Sequence, residues 1–396
     1  MHMQTESDFS FTSITPGQYA AASPKGAILM TWQEELSIKL GRLVSIMEAN
    51  DLDAIYIKRQ DNFAWLTCGG INYVGLGEMG NCGLLVTRDS KLYAVTNKIE
   101  EARMRDEEKL EEMGFAIHAQ TWYENAFEGE TINALVPSGK VGRDHGAANN
   151  VANDIKLARF SLTEAEIERY KEGGYLTAKA IEETISSVRP GDSEYKTAGR
   201  LACIIRSQGM DVVSSMCAAD DRISRYRHPV PTDRIIRERV QLGGNMRYKG
   251  LIICCTRLLN FVPVTPQLRA QYMANVEIDC TLQLASKPGK TFVSALEAGR
   301  AAYEARGYGE EFKKHHQGGP IGYVARDYRV DFSTPGVIAE NQAFCWNPSI
   351  TGTKSEDTVI STSHGIIPAS RPIIAPKITV EVEGHTFVRP DIWEAC

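Results

Sequence analysis

Arg189-Pro-Gly191, followed by a helical segment that stops at Gly209, returns almost a hundred residues later as Lys287-Pro-Gly289, followed by a segment that stops at Gly307. In both copies the closing glycine stands 19 positions after the proline. Proline ends a helix because it lacks the amide proton, and glycine closes the next one because it tolerates a left-handed cap. The first copy is preceded by a long helix that opens at Thr163-Glu-Ala-Glu166, a capping box, and runs towards Ser187. The stretches after Gly209 and Gly307 are rich in strand formers. Two helix–helix–strand units of matched spacing predict a pseudo-twofold α+β domain, with helices packed on one curved, mostly antiparallel sheet. A site is then expected where the two halves meet.

Upstream, a second capping box, Thr31-Trp-Gln-Glu34, opens a helix with Leu36, Leu40, Leu43 and Met47 on one face. Asp53 to Lys58, Cys82 to Thr87 and Lys91 to Thr96 read as strands, the last two joined by a hairpin turn at Arg88-Asp-Ser90. Ile99 to Met113 reads as a charged helix and Lys140 to Asp144 as a short strand. The expected organisation is an irregular arm over 1–30, an α/β domain over 31–158, a linker at Arg159-Phe-Ser161 and the pseudo-symmetric domain over 162–396. The arm lacks a basic segment followed by an apolar core, so no secretory signal is expected.

With 396 residues, 43% of them hydrophobic and 24% charged, the chain has the composition of an ordinary globular protein of two domains. A net charge of −6 gives no reason to expect nucleic acid or an anionic membrane as partner. Nine scattered cysteines without a CxxC pair fit free thiols in a reducing compartment, so the cytoplasm is expected. Cys254-Cys255 falls within the apolar run Leu251 to Leu259 and reads as part of a core strand.

Three polar blocks fall between the strand-like runs: Tyr226-Arg-His-Pro-Val-Pro-Thr-Asp233, His315-His-Gln-Gly-Gly-Pro-Ile-Gly322 and Trp346-Asn-Pro-Ser-Ile-Thr-Gly-Thr-Lys-Ser-Glu-Asp357. Turns that carry Gly and Pro present side chains at one end of a sheet. Pro229 and Pro231 hold His228 on a stiff, extended segment where its imidazole can exchange protons near neutral pH. Nearby Arg222, Arg225, Arg227 and Arg234 are expected to lower its pKa and to offer a carboxylate-binding fork. His315 and His316 read as strand neighbours, of which only one faces a site. Tyr323, Arg326, Asp327, Tyr328 and Arg329 form a polar patch beyond them. Glu356 borders the apolar strand Thr358 to Ile360 and could be half buried, as a base or a cation holder. No HExxH, HxxxH, GxSxG or phosphate-loop spacing is present.

In these blocks the chain resembles the pita-bread family of creatinase, prolidase, aminopeptidase P and methionine aminopeptidase, from about Trp32 to the C-terminus. His228-Pro-Val-Pro-Thr-Asp233, Gly250 to Arg257, His316-Gln-Gly-Gly319, Trp346-Asn-Pro348 and Ser355-Glu-Asp-Thr358 are similar, in order, to five of its segments. The family's peptidases hold two metal ions with two Asp, one His and two Glu. The matching positions here are Gly243 (or, with a gap, Gln241), Cys254, His316, Asn347 and Glu356. One imidazole and one carboxylate cannot compensate a divalent pair. The resemblance to creatinase therefore implies hydrolysis of a C–N bond in a small guanidino, amidine or amide compound with no metal or other cofactor. It implies His228 as proton shuttle, Glu356 holding the reacting nitrogen, and His316 and Asn347 polarising the carbon under attack. Tyr323, Arg326, Arg329 and Cys254 would line the substrate, and the chain would form a homodimer. An Xaa-Pro peptidase with a thin set of Cys254, His316 and Glu356 on one metal is the first alternative. A pita-bread module that binds peptide or protein without catalysis is the second.

Overall fold

The computed structural model describes residues 30–395, so the arm expected over 1–30 lies, apart from Met30, outside the described residues. Thr31 caps α1 (Trp32–Ala49) through the reciprocal box with Glu34. β1 (Ala54–Arg59), α2 (Gln60–Leu66), β2 (Met79–Thr87) and β3 (Leu92–Asn97) follow. The helix expected over 99–113 is only α3 (Glu101–Asp106). Lys109 adopts a left-handed φ of 57°, and the chain turns back to lay β4 (Phe115–Gln120) parallel to β3. α4 (Phe127–Leu135), β5 (Val141–Arg143) and α5 (Ala152–Ala158) complete a five-stranded sheet of order β4-β3-β2-β1-β5.

The repeat is visible in the second domain. α6 (Glu164–Ser187), α7 (Glu194–Ser207) and β6 (Asp211–Ala219) lead through the short α8 (Arg222–Arg225) to β7 (Arg239–Tyr248) and β8 (Leu251–Asn260). α9 (Pro266–Ala285), α10 (Phe292–Ala305) and the short α11 (Gly309–Phe312) lead to β9 (Gly318–Pro320), β10 (Gln342–Trp346), β11 (Asp357–Thr362) and β12 (Gly365–Pro368). Gly191 and Gly289 each take positive φ and donate an amide, over 2.9 Å, to Ile236 and Ile338 respectively. Ile236 and Ile338 donate back to Asp192 and Lys290, each over 2.8 Å. The same turn is thus locked by the same reciprocal pair in each half. β13 (Lys377–Val382) and β14 (His385–Pro390) form a hairpin, and β15 (Trp393–Glu394) joins β8 in parallel. The two four-stranded sheets, β15-β8-β7-β6 and β12-β11-β10-β9, are otherwise antiparallel. The expected α+β class and pseudo-twofold architecture are those observed.

One apolar core runs from α1, β1 and α2 through α6 into β7 and β8, so the domains share a buried junction. Arg159, within the expected linker, is itself buried there between Asp61, at 2.7 Å, and Asp327, at 3.3 Å. Among the described residues no helix is long and apolar enough to cross a membrane.

Candidate active site

Cys217 donates its amide to the Pro229 carbonyl at 3.1 Å, which ties the extended His-Pro-Val-Pro segment to β6. Thr232 donates its amide and hydroxyl to one oxygen of buried Glu194, at 2.9 and 2.8 Å. These contacts hold His228 over the junction of the two halves. His315 and His316 arrive on the turn between α11 and β9, not on a strand. The alternation expected of them therefore does not operate, and both rings face His228. His228 Nε2 lies 3.2 Å from His315 Nε2, and the His228 and His316 ring centres are 5.4 Å apart. One ring nitrogen from each of the three lies within 4.8 Å of the others. His315 is buried, His316 half-buried and His228 exposed.

Each imidazole is held below its ordinary pKa, first by burial and then by neighbouring cations. His315 falls to about 2 and His316 to about 4, with Lys354 and Arg326 respectively the largest charge influences. His228 is lowered by burial and by Lys354, Arg326 and Arg329, against an opposing influence of Glu356. The arginines beside His228 in sequence do not contribute as expected. Arg222, Arg225, Arg227 and Arg234 are paired with Glu194, Asp221, Glu311 and Asp221. The cations that reach His228 and His316 come from 326, 329 and 354 instead, and of the four arginines only Arg227 acts, on His315.

Beneath the histidines lies a buried charged layer. Glu356 Oε2 accepts from Thr256 Oγ1 at 2.5 Å and from Lys354 Nζ at 2.8 Å. Its Oε1 has only longer contacts, Cys345 Sγ at 3.6 Å and Arg326 Nη2 at 3.7 Å. Burial acts to raise the Glu356 pKa, but Lys354 and Arg326 outweigh it and keep the group below its ordinary value. Arg326 also bridges two thiols, 3.4 Å from Cys254 Sγ and 3.7 Å from Cys345 Sγ. The neighbouring Cys345 thiol and the Arg326 guanidinium hold Cys254 below its usual range, while burial holds Cys345 above. Asn347 is buried at the end of β10 with its Oδ1 unpartnered.

Of the residues singled out from sequence, His228, His316, Glu356, Cys254, Asn347, Arg326 and Arg329 belong to this neighbourhood. Tyr323 does not. It is buried at the domain junction, its hydroxyl donating to Glu166 at 2.6 Å and lying 3.4 Å from Arg169. Glu356 is wholly rather than half buried, and its charge is already met by Lys354. Lys354, Cys345 and Ser349, which lies 3.1 Å from His315 Nδ1, were not read as site residues, and His315 was expected there only in place of His316. The Lys-Ser-Glu spacing carried a usable signal for Lys354, because residues two apart on extended chain share a face.

Donors in this arrangement do not suit the divalent pair of the resembled peptidases. A side chain at Gly243, the first ligand position, would meet Thr256 Oγ1 at 2.3 Å and the Cys255 carbonyl at 2.6 Å. Lys354 and Arg326 put two positive charges on the one carboxylate that remains. His316 Nδ1 accepts from the Gly318 amide at 3.2 Å, which leaves the proton of the neutral ring on Nε2, the reverse of a ligand whose Nδ1–H is anchored.

The fold and these blocks define a pita-bread protein with a creatinase-type N-terminal domain. Residues 168–366, just over half the chain, match metallopeptidase family M24, and residues 39–152 match the creatinase/prolidase N-terminal domain, so the chain belongs to family M24. An uncharacterized peptidase of Bacillus subtilis is 27% identical over 54% of this chain, and one of Staphylococcus saprophyticus 25% identical over 54%. The matches span 63% and 64% of the length of those relatives. Among solved structures, the Xaa-Pro dipeptidase from Bacillus anthracis superposes with a TM-score of 0.70 at 20% identity, covering 91% of this chain and 99% of that one. The N-terminal domain of FACT complex subunit SPT16 from Cicer arietinum gives 0.66 at 12% identity, over 86% and 97%. At such identities the likeness is one of fold.

Proposed function

We propose that this protein is a hydrolase that cleaves the C–N bond of a small polar compound without a divalent pair, with His228 as proton shuttle. Of the guanidino, amidine and amide substrates open to such a site, an amide carrying a carboxylate fits its charge best. The observation that carries this reading is the Lys354–Glu356–Arg326 arrangement. Fixed cations stand beside the remaining carboxylate, and Arg329 has no ion-pair or hydrogen-bond partner among the described residues. A cationic guanidinium would meet three positive side chains and a carboxylate already engaged, whereas a carboxylate would find Arg329 free to bind it.

In this scheme His228 Nε2–H donates to His315 Nε2, and His315 Nδ1–H donates to Ser349 Oγ. The lone pair of His228 Nδ1 is then free to take a proton from water as the water oxygen attacks the amide carbon. The same proton goes to the leaving nitrogen when the C–N bond breaks, so the shuttle ends neutral. General acid–base catalysis of this kind is worth about 10² to 10⁴ in rate. His316 Nε2–H and the Asn347 amide group are the donors for the oxygen that becomes negative in the attack. The proposal carries a homodimer and a reducing, cytoplasmic setting, the latter supported by the eight cysteines among the described residues, all of them free thiols.

The test is amine release from a panel of N-acyl amino acids, dipeptides and guanidino acids, before and after exhaustive chelation. Turnover that survives chelation is expected. Turnover lost to chelator and restored by zinc or manganese would replace this reading with an Xaa-Pro-type metallopeptidase, which the structural likeness to the Bacillus anthracis enzyme favours. No turnover on any compound, together with peptide binding, would support the non-catalytic module.

A further inference from the structure

On the opposite face of β11 from Glu356 lies a cavity of about 1240 Å³. Alternation along the strand sends Asp357, Val359 and Ser361 into it, while Glu356 faces the imidazole layer. Its outer wall is the β13–β14 hairpin, which lies beyond the residues matched to family M24. The chain as a whole is acidic, at −6, yet this cavity is ringed by Lys287, Lys290, Arg371 and Lys377. Among the described residues, none of those four makes an ion pair or a side-chain hydrogen bond. The only carboxylate among the lining residues is Asp357, and it is engaged by Arg257 at 3.1 Å and Arg389 at 3.4 Å. Arg389, buried at the cavity floor, keeps an unpartnered Nε. Leu284, Ile366, Ile373 and Phe387 supply apolar wall between the cations.

We propose that this cavity is a second ligand site, separate from the imidazole cluster, for a small organic polyanion bearing phosphate or carboxylate groups. The lysine rim and Arg371 meet its charged groups, and the apolar wall takes its carbon body. Four uncompensated cations converging on one concavity raise the local concentration of anions, and low-dielectric walls strengthen each contact. The volume accommodates a nucleotide-sized molecule, being at or above the upper end of ordinary small-molecule pockets, about 1,000 Å³.

The full chain is titrated calorimetrically, at constant ionic strength and with chelator present, with ATP, pyrophosphate and citrate, adenosine serving as the uncharged control. Saturable binding of at least one anion is expected, with none of adenosine alone. The triple substitution Lys287→Gln, Lys290→Gln and Lys377→Gln, all on exposed side chains, should weaken it by at least about tenfold. His228→Ala should leave the affinity unchanged, which separates this site from the proposed catalytic one. No saturable heat with any of the three anions overturns the proposal. So does a triple variant, folded by circular dichroism, that binds as the wild type does. Equal loss of binding in His228→Ala would place the anion at the imidazole cluster instead.

Discussion

Two buried charge clusters, one at the domain junction and one under the histidines, are built from the same residue types and finished differently. At the junction, Lys39 pairs with Glu35 and lies 3.2 Å from Glu166, while Arg169 reaches both oxygens of Glu35, at 2.7 and 2.5 Å. Glu166 accepts from Tyr323 at 2.6 Å and from the Thr163 amide at 2.8 Å, so all four carboxylate oxygens are met at short range. Under the histidines, Glu356 has one oxygen well met and the other facing only a thiol and a guanidinium beyond 3.5 Å. Asn347 Oδ1, Gln317 Oε1 and Arg326 Nε are left without partners nearby in the chain. A buried polar group without a partner costs about 1–3 kcal/mol; the junction leaves Arg169 Nε and Trp65 Nε1 so but saturates both carboxylates, whereas under the histidines a carboxylate oxygen itself is poorly met and retains capacity for a ligand. The first joins domains; the second is where chemistry is proposed.

That contrast can be broken most directly at Lys39. Lys39→Met removes the cation from two buried carboxylates and should cost about 3–5 kcal/mol, read as a fall in midpoint in urea unfolding. A loss below about 1 kcal/mol would show that the junction is not held by this pair. Next in size is His228→Ala, which should lower kcat/KM by about 10² to 10⁴ on a substrate found in the amide screen, with little change in stability because the ring is exposed. Unchanged turnover would remove His228 from the mechanism.

Arg329→Gln sharpens the picture further. KM for a carboxylate-bearing amide should rise about 10- to 100-fold with kcat nearly intact, and the same amide without its carboxylate should not respond, since a charged hydrogen bond is worth about 1.5–3 kcal/mol. The remaining test concerns pH. His315 is lowered to about 2 in the folded chain and titrates near 6.5 when unfolded. The stability it contributes is therefore fully present above 6.5 and drains away as pH falls towards 2. The slope from this group alone is about 1.4 kcal/mol per pH unit. Asp327, raised by burial to about 6, acts in the opposite direction over pH 4–6, so wild type and His315→Gln must be compared. The variant should show the shallower acid loss, and identical curves would mean that His315 is not buried neutral.

Matched spacing of proline and glycine was enough to find the internal repeat, because those residues act through their own backbone and need no distant partner. Both capping boxes formed as read for the same reason. The sequence also led to His228, His316 and Glu356, since each stands in a turn-rich polar block. What it could not yield was pairing. Arg227 and Arg329 both looked available to a substrate carboxylate, but Glu311 comes in on α11 to occupy the first, and only the second stays free among the described residues. Tyr323 looked like part of the pocket until Glu166, more than 150 residues away, claimed its hydroxyl. α2 was missed because a short buried segment shows no helical or alternating period, and β4 because its half-exposed residues do not alternate. Local conformational preference belongs to a residue and its neighbours, so the sequence by itself determined the repeat, the caps and the polar blocks. Charge compensation depends on which groups folding brings within a few ångströms, so only the tertiary structure decided that Lys354 and Arg326 flank the one remaining carboxylate.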